Sequence, residues 1–192
     1  DRPGQTLRTA LREIADARLC DFVCTSNQNV ILANVAQKFK AKIDAILKAH
    51  GIATTVSSGL RGNSMACVSL PTCGLALAES ERFLPELITA LEDGLDKAGL
   101  RSDDIVIRMT GCPNGCARPY LAEIGLVGRN PGLYNLYLGA AFDGTRLSKL
   151  YAQDVGKDRI VELLEPIFLK FAKERKAGEH FGEFVIRAGF VK

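Results

Sequence analysis

Between residues 7 and 18 the apolar positions Leu7, Ala10, Leu11, Ile14 and Ala15 recur at helical spacing with charged side chains opposite, which predicts a surface helix. Two short β-favouring runs follow, Cys20 to Thr25 and Val30 to Val35, on either side of the polar tetrad Ser26-Asn27-Gln28-Asn29. They predict two strands joined by a tight connection. The helical period returns from Lys38 to His50, and Gly51 stands where a left-handed C′ residue would stop that helix. Helix, two strands and helix form a small α+β lobe, which we assign to residues 1–59.

The pattern then changes. Arg61 to Leu77 is rich in Gly, Ser, Pro and Cys and predicts a loop, which feeds a helical pattern from Ala76 to Ala98. Ile105 to Met109 reads as a buried strand, broken by Thr110-Gly111-Cys112-Pro113-Asn114-Gly115-Cys116, a loop that no regular element could absorb. Further strands are predicted at Ile124–Val127 and Leu133–Leu138, and a last helix from about Asp158 to Lys176. The tail from Phe181 to Val191 is expected to be extended and folded back on the body. Residues 60–192 thus form a second, larger domain, and the fold class is α+β with no internal repeat in the chain.

Composition narrows the function. The 192 residues are 47% apolar and 24% charged, ordinary for a folded soluble protein. The net charge of +3 comes from 25 basic and 22 acidic residues scattered without a block of like charge, so nucleic acid is not an expected partner. No apolar run reaches the roughly 18–20 residues that span a bilayer, and the N-terminus has no export signal pattern, so the expectation is a cytoplasmic protein without a membrane partner. The chain begins Asp1-Arg2-Pro3-Gly4 without Met, and we expect it to be a piece of something longer. In a reducing compartment its six cysteines point to metal ligation or burial rather than disulfides.

Cys67 and Cys73 form a C-x5-C pair, Cys112 and Cys116 a C-x3-C pair, with 38 residues between the pairs. Four thiolates suit zinc or an iron–sulfur cluster. Zinc ribbons favour C-x2-C, whereas these wider gaps fit the longer edges of a cubane. Gly74, Gly111 and Gly115 would let backbone approach the sulfur atoms, and Pro113 stiffens the second loop. A structural zinc site, or four unconnected buried thiols, remain the plainer alternatives. Cys20 and Cys24 share one face of a strand-like run and are expected in the core.

The segments Asn63-Ser64-Met65-Ala66-Cys67-Val68-Ser69-Leu70-Pro71-Thr72-Cys73 and Thr110-Gly111-Cys112-Pro113-Asn114-Gly115-Cys116-Ala117-Arg118-Pro119-Tyr120 resemble the two cluster motifs of the sulfite and nitrite reductase hemoprotein family. Thr25 to Asn29, Tyr134 to Gly139 and Glu174 to Phe184 resemble its sulfite-reducing branch, so the likeness covers nearly the whole chain. The resemblance implies two cofactors, a 4Fe–4S cluster on Cys67, Cys73, Cys112 and Cys116, and a siroheme whose iron shares the Cys116 thiolate, the catalytic junction. It implies a six-electron reduction of sulfite to sulfide in sulfate assimilation and cysteine biosynthesis, with nitrite reductase, or a non-catalytic four-cysteine metal or cluster module, as the other readings. Nitrite reductases tend to carry Ser before the second Cys of this motif, where this chain has Gly115.

Residues 1–59 resemble the second copy of the family's small ferredoxin-like repeat and residues 60–192 its cluster and siroheme domain. The expected partners are sulfite, the N-terminal half of the same subunit, and a flavoprotein or ferredoxin as electron donor. Leu138 to Tyr151 reads as the NADPH-linked, flavoprotein-served type. Asn27, Gln28, Asn29 and Arg61 are expected to line the siroheme, Asn114 and Gly115 to touch the cluster or heme edge, and Arg118 to pair with a siroheme carboxylate. The plainer readings are a capped turn for the tetrad and solvated or ion-paired arginines. His50 and His180 lack partners at ligand spacing and are assigned no function.

Overall fold

The computed structural model describes residues 1–53, 55 and 58–192, in two units that span residues 1–56 and 57–192. In the first unit α1 (Leu7–Asp16) is followed by the antiparallel pair β1 (Asp21–Cys24) and β2 (Val30–Ala33), and then by α2 (Gln37–Ala49). The polar tetrad closes the hairpin: the Thr25 N–H donates to the Asn29 carbonyl at 2.9 Å, and the Thr25 hydroxyl accepts from the Asn29 N–H at 3.0 Å. Gln28 takes the left-handed conformation that the turn requires. Gly51 ends α2 as expected, with φ +69°. The Ile52 N–H reaches the Leu47 carbonyl and the Gly51 N–H reaches the Lys48 carbonyl, the paired bonds of a Schellman motif.

Ala10, Ile14, Leu19, Ile43 and Ile46 form the core of this unit. The expectation for its two cysteines needs correction, because Cys24 is exposed and Cys20 only half-buried. The helices cover the end of the hairpin where Cys20, Leu32 and Val35 pack, while Cys24 lies beside the turn, beyond their reach.

The second unit is built on a mixed five-stranded sheet of order β3-β4-β5-β6-β7, made of β3 (Ser64–Ala66), β4 (Ile107–Thr110), β5 (Ile124–Asn130), β6 (Leu133–Leu138) and β7 (Lys149–Gly156). The first three strands run parallel and the last three antiparallel. A short α3 (Gly59–Gly62) precedes β3, α4 (Leu84–Ala98) connects β3 to β4, and α5 (Lys157–Glu174) and α6 (Phe181–Arg187) close the chain. Leu84, Leu87, Ile88, Leu91 and Leu95 of α4 meet Ile160, Leu164, Ile167, Phe168 and Phe171 of α5 in one core with Ile107, Met109, Ile124, Leu126, Leu136 and Leu138 from one sheet face. The α+β class holds, and the predicted strands at β4, β5 and β6 and the long helix α5 lie within a few residues of expectation.

Other expectations do not hold. The helix predicted from Ala76 starts at Leu84 instead, because the segment before it is spent on the neighbouring loop. The Leu77 and Ala78 N–H groups both donate to the Gly111 carbonyl, at 2.8 and 3.0 Å, and the Ser80 hydroxyl donates to the Met109 carbonyl at 2.6 Å. The Arg61–Leu77 stretch is not wholly a loop, since it holds part of α3 and all of β3. The tail is helical rather than extended: Phe181, Phe184 and Val185 sit at i, i+3 and i+4 and are buried. The sequence pattern does not anticipate β7; its two register shifts against β6 blur the alternation that marks a strand. Among the described residues no helix is long and apolar enough to cross a membrane.

Candidate functional site

Two adjacent parallel strands bring the cysteine motifs together. Ala66, the last residue of β3, pairs with Met109 on β4, so the chain leaves both strands at the same end of the sheet. Cys67 follows β3 directly and its N–H extends the ladder to the Met109 carbonyl at 3.1 Å. Cys112 comes two residues after β4. Parallel strands place their C-terminal loops side by side, which is where open sheets build sites.

The contact between the loops is close. The Gly111 N–H donates to the Cys67 sulfur at 3.3 Å. The Gly111 carbonyl accepts the Leu77 and Ala78 N–H groups, and the Ser69 hydroxyl, within the first motif, donates to the Ala78 carbonyl. A Cβ at Gly111 would run into that hydroxyl and that carbonyl. Within the first loop the Cys73 N–H donates to the Ser69 carbonyl at 2.8 Å. Gly115, at φ +70°, turns the second loop, and the Arg118 N–H donates back to its carbonyl at 2.7 Å. Gly74, by contrast, has open space around it and makes no close approach.

All four cysteines are free thiols; Cys112 is buried, Cys67 and Cys73 are half-buried, and Cys116 is exposed. Among the described residues no three His, Cys, Asp or Glu side chains gather tightly enough to hold one metal ion. A zinc site would need its sulfurs about 2.3 Å from a single ion, and the structure does not form one.

The surroundings are cationic. Arg108 lies on β4, on the face opposite Ile107 and Met109, and its Nη1 donates at 3.5 Å to the carbonyl of Arg118. Burial lowers the Arg108 pKa from its usual value, and the neighbouring Arg118 charge lowers it further. The Arg118 guanidinium also contacts the Met65 sulfur at 3.7 Å. Tyr120, edge-on to Tyr137 at 5.1 Å, has its phenol pKa raised, by burial first.

The remaining predicted residues are placed differently. Asn114 is exposed and Gly115 half-buried on the second cysteine loop. Arg61 engages Glu92, its Nε and Nη2 each donating at 3.0 Å to a carboxylate oxygen, and Nη2 also donates to the Thr89 hydroxyl at 3.0 Å. Glu92 is only 5% exposed and takes a further bond from the Ser58 hydroxyl at 2.7 Å. Asn27, Gln28 and Asn29 form the hairpin turn of the first unit. His50 bonds Thr6 and Glu13 within that unit, at 2.6 and 3.1 Å.

Two residues beside the cysteines escape the sequence reading, Arg108 and Thr110. For Arg108 a signal exists, a charge inside an otherwise apolar strand run. Thr110 offers none, since a hydroxyl at a strand end is common.

No family model matches the chain. Among curated proteins it is similar to the sulfite reductase (NADPH) hemoprotein beta-component of Methylobacterium nodulans, 60% identical over 188 residues, which are 98% of this chain and 31% of that protein. The protein of that name from Staphylococcus saprophyticus is 56% identical over 193 residues, 100% of this chain and 34% of the relative. Among solved structures, the Mycobacterium tuberculosis NirA protein matches 95% of this chain and 36% of its own, with a TM-score of 0.79 at 28% identity. The chain therefore spans about a third of the length of the curated relatives it matches.

Proposed function

We propose that this chain, which belongs to the sulfite and nitrite reductase hemoprotein family, is the cluster-bearing part of an NADPH-linked sulfite reductase hemoprotein, an oxidoreductase that reduces sulfite to sulfide. The observation that carries the reading is the meeting of the two cysteine loops at one end of the adjacent parallel strands β3 and β4. Four free thiols on glycine-bearing loops are a fitting donor set for a 4Fe–4S cluster, with Cys67, Cys73, Cys112 and Cys116 as ligands. Cys116, the exposed thiol, would be the ligand that the cluster and a siroheme have in common. When bound, cluster and siroheme together supply one-electron transfers to a substrate on the heme.

The chain itself holds and tunes. The Gly111 N–H aimed at the Cys67 sulfur stabilises thiolate charge, which favours the reduced state of an attached cluster. Arg108 and Arg118 bring positive charge beside the second loop, suited to the carboxylates of a siroheme. Asn114 and Gly115 would border the cluster or heme edge. Asn27, Gln28 and Asn29 would offer amide groups to the macrocycle, and Arg61, braced by Glu92, would do so as a fixed cation. Residues 1–59 are read as the ferredoxin-like repeat and residues 60–192 as the cluster and siroheme domain. The electron donor is a flavoprotein, the rest of the same subunit completes the site, and the setting is the cytoplasm.

The test uses the full-length subunit. Absorbance and paramagnetic resonance should show siroheme and one cluster; Cys67→Ser, Cys73→Ser and Cys112→Ser should each lose the cluster, and Cys116→Ser should lose the magnetic coupling between the two centres. A wild-type subunit that binds stoichiometric zinc and has no siroheme absorbance would sink the reading.

A further inference from the structure

Thr110 ends β4, immediately before Gly111 and Cys112. It is 1% exposed, and its hydroxyl oxygen is buried with no hydrogen-bond partner among the described residues. A buried hydroxyl without a partner is costly and uncommon, so a missing partner is the first explanation to consider. The neighbours on both sides bond Cys67: the Met109 carbonyl accepts the Cys67 N–H, and the Gly111 N–H donates to the Cys67 sulfur. Thr110 thus sits at the centre of the joint between the two cysteine loops. Its chain partner on β5, Val127, is apolar and offers nothing to the hydroxyl.

We infer that the Thr110 hydroxyl is a hydrogen-bond donor to a sulfur atom of the cluster carried by Cys67, Cys73, Cys112 and Cys116. The inference rests on the functional reading above. A hydroxyl has one hydrogen to give, and a cluster held by Cys67 and by Cys112, two residues on from Thr110, would bring thiolate and sulfide sulfurs as acceptors. A donor to such a sulfur stabilises the more negative, reduced cluster and raises its potential, as the Gly111 N–H does from the backbone. Thr110 is a positioning and tuning residue, with no contact to substrate required.

The experiment is an anaerobic redox titration of the full-length holo-subunit, followed by paramagnetic resonance, with Thr110→Val and Thr110→Ser beside wild type. Valine keeps the shape and removes the donor, so the midpoint should fall by an amount on the order of a tenfold change in the reduction equilibrium, about 59 mV for one electron. Serine keeps the donor and should stay near wild type. Should the valine variant fail to assemble a cluster, Thr110→Ala removes the hydroxyl without adding volume and is expected to show the same fall. A purely structural hydroxyl predicts the opposite pattern: a more stable apoprotein on Thr110→Val, with the midpoint unchanged. That unchanged midpoint overturns the inference while leaving the functional reading intact. A wild-type subunit that takes up no cluster overturns the functional reading itself.

Discussion

Glu123 shows how one residue can couple distant parts of the fold. It is fully buried just ahead of β5, and its two carboxylate oxygens accept the Val106 N–H at 2.9 Å and the Gly182 N–H at 2.7 Å. It thereby ties the approach to β4 and the start of α6 to the sheet. Burial pushes its pKa from 4.5 up to about 7, against the pull of those two donors, and the Glu183 and Asp104 charges add to the rise. The folded state holds this proton more tightly than the unfolded chain does. Its stabilising contribution is therefore complete below about pH 4.5 and is lost as the pH rises through about 7, a change of about 3 kcal/mol. Denaturant titrations between pH 5 and 8 should show that loss in wild type and a flatter profile in Glu123→Gln. The glutamine variant should also be less stable at pH 5, because its amide nitrogen faces one of the two N–H donors. Equal pH slopes in the two proteins would rule out Glu123 as the titrating group. Nothing in the local sequence Leu121-Ala122-Glu123-Ile124 marks this role, since both partners are far along the chain.

At the level of elements, the joint between the β3 and β4 loops depends on small residues stacked against one another. A Cβ at Gly111 would strike the Ser69 hydroxyl and the Ala78 carbonyl, and one at Gly128 on β5 would strike the Gly111 carbonyl and the Ala78 side chain. Gly111→Ala should therefore destabilise the apoprotein by about 1–3 kcal/mol, the usual cost of overpacking, and should lower cluster occupancy in the full-length subunit by separating the loops. Unfolding curves and iron content check the two effects, and wild-type values for both would mean that the loops tolerate the extra methyl. The helices were legible because their signal is local: the stripes of α1, α2 and α5 repeat every three to four residues. The same period runs through Phe181, Phe184 and Val185, and the extended reading of the tail overlooked it. β3 was not legible, because Ser64-Met65-Ala66 has no strand pattern of its own and becomes a strand only through its pairing with β4.

The whole molecule matches about a third of each curated relative, and several of its described cations are engaged in ion pairs. Arg61 and Arg101 serve Glu92, and Arg175 pairs with Asp103, Arg187 with Glu179 and Lys157 with Glu79. Beside the second cysteine loop stand Arg108 and Arg118, and even with the Glu92-braced Arg61 that the sequence reading counted, these are few for a siroheme and an anionic substrate together. The isolated chain, reconstituted with iron, sulfide and siroheme under anaerobic conditions, should accordingly produce no sulfide from sulfite with reduced methyl viologen. Turnover comparable to the full-length subunit would place the entire cationic site within these residues. The sequence by itself determined the cysteine spacing, the turn residues and the helical stripes, because each is written in neighbours along the chain. Only the tertiary structure decided that Gly111 meets Cys67, that Arg108 stands beside Arg118, and that the Thr110 hydroxyl and the Glu123 carboxylate are buried. Those facts arise from strand order and packing between segments at least ten residues apart, and no local pattern encodes them.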